Sequence, residues 1–232
     1  KRLLIDAATF DLGGQVLSGK DLSIALTQDI VNKAELAATG NLSFTTTGNF
    51  TNNGKLVAGQ TLNVSGKDVE NTANAELSGL NTIVSASGAL TNRGLIDSRG
   101  DTRINAGTLD NIGTGRIYGD AISIGAGALD NVAETVNGVP KSASIAARDA
   151  LDIGAGTINN RDRSLIFSAG DMFIGGALDA NRYATGQGAT LNNLSADIES
   201  LGHMAIAMGT VDNRDVHLQI GQQTTHSTTS RI

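Results

Sequence analysis

Apolar and polar positions along this chain alternate in short bursts, and the bursts recur with a constant internal layout. Between Phe50 and Asp68, Leu62 and Val64 alternate with polar neighbours, as in a strand with one buried face. Leu56 opens a shorter apolar element, and Gly54 and Gly59 read as corners where the backbone takes unusual angles. The scheme returns as Leu36, Leu42, Phe44; as Ile145, Leu151, Ile153; as Ile166, Met172, Ile174; and as Ile198, Met204, Ile206. Most copies keep the same six-residue step from the first apolar position to the second. In the copy that begins at Ile96, Thr102 takes the second place, ahead of Ile104. Leu3 and Ile5 precede Phe10 as Leu62 and Val64 precede Val69, so the chain opens inside a copy.

A second phrase, apolar-x-Asn, marks the same beat. It starts at Ile30, Phe50, Val69, Leu90, Leu109 and Leu129, with spacings of 20, 19, 21, 19 and 20 residues. It returns at Ile158, Leu191 and Val211 after gaps of 29, 33 and 20, while Phe10-Asp11-Leu12 lacks the Asn. A fixed period of this length signals a solenoid, each copy one structural unit stacked on its neighbours. Three short strands joined by corners in about twenty residues make one turn of a parallel β-helix, and nine copies with flanking turns predict about ten or eleven rungs. At about 4.8 Å per rung the rod is on the order of 50 Å long. A leucine-rich repeat has a similar period, but Leu-x-x-Leu-x-Leu is not the recurring phrase and no segment shows helical periodicity. A lone rung cannot offset the about 1–2 kcal/mol per residue that backbone ordering costs, so stability is collective.

The recurring asparagines, Asn32, Asn52, Asn71, Asn92, Asn111, Asn131, Asn160, Asn193 and Asn213, suit corners, since Asn tolerates left-handed angles. Stacked in register, their amides predict a hydrogen-bonded ladder. The rival reading is a ligand-binding row; regular spacing along the chain favours structure. Proline is nearly absent, as interior strands require, and the one copy, Pro140, falls in the first long gap.

Strand entries such as Gly40-Asn41-Leu42, Gly59-Gln60-Thr61-Leu62 and Gly170-Asp171-Met172, following apolar-x-Asn and a glycine, resemble the haemagglutinin repeats of filamentous haemagglutinin and contact-dependent growth-inhibition exoproteins. The resemblance covers residues 1–216. It implies an all-β, right-handed parallel β-helical stalk on a secreted, cell-surface protein of a Gram-negative bacterium, exported by an outer-membrane two-partner secretion transporter. A receptor on a host or neighbouring bacterial cell is a further implied partner. The absence of cysteine is compatible with passage through such a pore unfolded. No secretion domain and no Val-Glu-Asn-Asn boundary is seen, so the chain reads as a middle piece, with residues 217–232 leading towards a following domain, and it is expected to be monomeric.

Chemistry is sparse. The net charge of −6 argues against a nucleic-acid stripe, and no apolar run is long enough to span a membrane. His203, His217 and His226 match no metal spacing, and His203 precedes an expected buried strand at Met204. No cofactor is expected. Asp149, Asp152 and Asp162 are the acidic set that a carbohydrate-active β-helix would use, but turn-entry carboxylates are ordinary and aromatics few. Gly125-Ala126-Gly127 and Gly154-Ala155-Gly156 precede no helix and are not phosphate loops. Asn-Arg pairs such as Asn92-Arg93 and Asn181-Arg182 read as solvated corners. Insertions in a solenoid emerge as surface loops. The two here, about 132–144 with Asn137-Gly138 and Pro140, and about 180–190 with Arg182 and Tyr183, read first as tolerated decoration and second as partner-contact loops. Asn137-Gly138 predicts a tight turn or small hairpin.

Overall fold

A computed structural model of the chain describes residues 2–11 and 13–218. His226 and most of the expected tail lie outside them. The described residues contain strands and no helix, wound as a parallel β-solenoid of about eleven turns. One rung shows the plan: Phe50–Asn52, Lys55–Ala58 and Thr61–Gly66 are three strands on three walls. Each pairs in parallel with its equivalents one turn before and after, so three columns of strands run the length of the rod. We number the columns by those three strands.

Register follows the sequence period. In the first column Asn32 pairs with Asn52, Asn52 with Asn71, and Asn71 with Asn92. In the second column Leu36 pairs with Leu56 and Leu77 with Ile96; in the third, Leu22 with Leu42 and Leu42 with Leu62. Alternation then sends these residues inward, where Leu36, Leu56, Leu62, Leu77 and Ile96 are fully buried. The bulkiest pair, Phe44 and Phe50, packs with ring centroids 4.4 Å apart. Thr102 fits the apolar slot because its hydroxyl donates to the Tyr118 carbonyl at 2.6 Å, which satisfies the buried oxygen.

Four expectations need correction. The ladder asparagines are not left-handed corner residues: Asn52 and Asn71 end strands, and the described non-glycine residues with positive φ are Asn137, Asp162, Arg163, Arg182 and Ser195. Gly54 and Gly59 are not at positive φ either; a Cβ there would collide with the carbonyl oxygens of Ala34 and Thr39 in the preceding rung. Close stacking, not backbone angle, demands these glycines. Strands are not short throughout, although short ones such as Leu95–Ser98 and Leu165–Ser168 recur late in the chain. Four run round the corners as Asn81–Asn92, Asp101–Ile112, Arg116–Val132 and Ser144–Arg161, and a one-residue register shift between Ala86 and Ala89 takes up the difference in length between two successive rungs. Met204 is not buried. It is 42% exposed, because among the described residues its strand pairs on one side only, with Met172.

Candidate functional site

A column of asparagines runs inside the rod as its most extended polar element among the described residues. Each Nδ2 donates to the Oδ1 of the next asparagine, from Asn32 through Asn52, Asn71, Asn92, Asn111, Asn131, Asn160 and Asn193 to Asn213, at 2.7–2.9 Å. The second Nδ2 hydrogen goes to a backbone carbonyl, as from Asn71 to Leu95, Asn92 to Arg116 and Asn111 to Ser144. Reversing one amide would set oxygen against oxygen, so all point the same way. From Asn32 to Asn193 the side chains are buried; Asn213 is exposed. From Asn32 to Asn193 the amides are therefore taken up by one another and by backbone carbonyls.

The two gaps in the period leave the rod as antiparallel hairpins. The first pairs Glu134–Val136 with Val139–Lys141 around Asn137 and Gly138, at φ of 51° and 76°. Positive φ at both central residues suits a two-residue hairpin turn, and Asn-Gly is the pair that adopts it most readily. The hairpin is tied down at its base. The Arg93 guanidinium donates to both Glu134 carboxylate oxygens, at 2.9 and 3.1 Å, and Gly113, at φ +60°, leaves room for Glu134 to approach. Pro140 sits on the exposed second strand, opposite Thr135.

The second hairpin, Ala177–Leu178 with Ala184–Thr185, folds back over the outer face of the third column. Along that face an outward row reads Thr45, Ser65, Ser85, Asn105 and then Gly125, Gly154, Gly175. The three glycines form the bed: a side chain at Gly154 would strike Ala177, one at Gly175 would meet Thr185 and Gly186, and Leu178 rests above Gly125. Beyond the bed, Arg182 reaches the earlier rungs. Its guanidinium donates to Ser123 Oγ and Asn105 Oδ1 at 2.8 and 2.7 Å, and to the Ile104 and Ser123 carbonyls at 3.0 and 2.9 Å. Burial, then the neighbouring Arg103 charge, lowers the Arg182 pKa. Asp152 accepts from the Ala184 N–H at 2.8 Å; burial is the main cause of its raised pKa. Tyr183, next to the anchor, is 63% exposed. Between the hairpin and the rungs lies a cleft of about 310 Å³ lined by Arg103, Asp152, Arg182 and Tyr183.

Of the sequence candidates, then, Arg182 is engaged within the chain, whereas Asn137, Pro140 and Tyr183 face outward. The three aspartates are not gathered. Asp152 lies under the second hairpin, Asp149 presents its carbonyl beneath Gly170, and Asp162 sits in a left-handed turn beside His217, 3.0 Å away. His203 contacts Asp171 instead. Among the described residues no group of three or more His, Asp or Glu could hold a metal ion. Sequence reasoning missed the Arg182 anchor and the glycine bed. The available signal was the change from Thr, Ser or Asn to Gly after Ile124, Ile153 and Ile174.

Three overlapping stretches, residues 2–54, 37–94 and 94–139, match the family described as haemagglutinin repeat, more than half of the chain in all. The chain is also similar to "Deoxyribonuclease CdiA" of Dickeya dadantii (strain 3937), 29% identical over 209 residues. That alignment covers 85% of this chain and 6% of the relative's own length. No solved structure matches the chain.

Proposed function

Because the chain belongs to the haemagglutinin-repeat family, we propose that it is a stalk segment of a large secreted exoprotein on a Gram-negative cell surface, of the adhesin or growth-inhibition kind. Its task is mechanical: to carry binding or toxic modules outward. One observation carries this reading. The asparagine column crosses gaps of 29 and 33 residues with the same 2.8 Å bonds that join its uninterrupted copies, so the rod is continuous wherever the chain departs from it. Reach follows rung number at about 4.8 Å per turn. The deoxyribonuclease in the relative's name is said of that protein, and we assign no such activity to this segment. An outer-membrane two-partner transporter would export the chain.

The alternative is a receptor-contact segment, favoured by one feature, the exposed Tyr183 ring on a firmly anchored hairpin. Deleting one whole rung, residues 50–68, from the complete exoprotein tests the stalk. Secretion should persist and the particle should shorten by one rung in electron micrographs. Saturable binding of the isolated chain to target cells, lost on removing either hairpin, would overturn the stalk reading in favour of the receptor-contact one.

A further inference from the structure

The chain holds two Asn-Gly pairs, Asn53-Gly54 and Asn137-Gly138, and the structure places them in opposite circumstances. In such a pair the glycine nitrogen can attack the asparagine side-chain carbonyl carbon, because no Cβ obstructs the approach. At Asn53 that attack is blocked three times over. The Gly54 N–H donates to Asn52 Oδ1 at 3.2 Å, Asn53 Oδ1 accepts from the Thr72 hydroxyl at 2.9 Å, and the Asn53 N–H donates to the Asn32 carbonyl at 2.7 Å. Gly54 is also wedged against the Ala34 backbone, so the ring closure has no room unless the rung opens.

Asn137 and Gly138 are both exposed, and among the described residues neither the Asn137 amide nor the Gly138 N–H has a hydrogen-bond partner. No atom lies within 4 Å of the position a Gly138 Cβ would take. The turn belongs to a two-stranded sheet of its own, separate from the solenoid. Such a hairpin is marginal by itself, so its tip opens at little cost, whereas opening at Asn53 breaks the ladder.

We propose that Asn137 is a site of spontaneous deamidation and that Asn53 is protected from it by the fold. The Gly138 nitrogen loses its proton and bonds to Asn137 Cγ, the Cγ–Nδ2 bond breaks, and the amide leaves as ammonia. Water then opens the cyclic imide at either carbonyl, giving aspartate or isoaspartate with no oxidant or enzyme. The product carries one more negative charge at the hairpin tip. In the isoaspartate form an extra backbone carbon enters a two-residue turn, which unpairs Val136 from Val139 while the Arg93–Glu134 tie at the base stays.

The test is to hold the folded chain in mildly alkaline buffer and follow both peptides by mass spectrometry, with a urea-unfolded sample alongside. Conversion at Asn137 should outpace that at Asn53 by on the order of tenfold or more when folded, and the two should converge in urea. Asn137→Gln should abolish the change in its peptide. Equal folded rates, or an Asn137 as strongly protected by folding as Asn53, would overturn the proposal.

Discussion

Asn111→Ala is the sharpest probe of the ladder. Removing this amide leaves three groups short of a partner: the Asn92 Nδ2 hydrogen, the Asn131 Oδ1 lone pair and the Ser144 carbonyl. Asn111 is fully buried, so water replaces these bonds poorly. An orphaned buried polar group costs about 1–3 kcal/mol, and three together come to roughly 5 kcal/mol. Asn213→Ala removes one bond, to Asn193, from an exposed side chain at the end of the described column, and should cost about 1 kcal/mol or less. The same substitution is thus expected to differ by roughly 4 kcal/mol with position alone. Urea unfolding followed by far-ultraviolet circular dichroism measures both. Because solenoids can open locally, amide exchange in the Asn92 and Asn131 rungs should report the interior loss directly. Equal costs for the two variants would mean that the column contributes nothing beyond its surface contacts.

Two further outcomes follow from the same geometry. Arg182→Met keeps the stem but deletes four hydrogen bonds to partly exposed acceptors, so amide exchange across 177–185 should quicken while global stability falls by only about 1–2 kcal/mol; unchanged exchange there would show that the glycine bed alone holds the hairpin. Asp110 stacks on Asp130, and burial, followed by that charge, raises its pKa in the fold. An acid with a raised folded pKa costs stability when ionised, and the cost fades as pH falls through the folded pKa towards the unfolded one. Asp110→Asn should therefore stabilise the chain near neutral pH and lose that advantage in acid; urea midpoints showing the reverse trend would contradict the sign.

The columns were readable from the sequence because side-chain alternation and a near-constant period report local geometry. Leu62 and Val64 face inward for the same reason in every copy. The hairpin anchors were not readable. Arg182 meets Asn105 across 77 residues, and no local pattern encodes a contact at that separation. Gly54 reads from sequence as a corner with an unusual backbone angle, whereas its cause is close stacking, because backbone angle and steric contact with a neighbouring rung leave the same letter. Burial at Met204 failed because alternation tells which side a residue faces, not whether another layer covers it.

Successive members of the asparagine column meet at 2.8 Å whether they stand 20, 29 or 33 positions apart in the chain. Loop length and rung stacking are therefore separable variables, and the rod behaves as a splicing scaffold. A foreign segment whose ends stand as close as the two sides of one corner, as Ile112 and Gly115 do in the rung below, could be grafted between Val132 and Ala143 in place of the native hairpin. The graft would be displayed sideways from the shaft without shifting the phase of the turns above or below it.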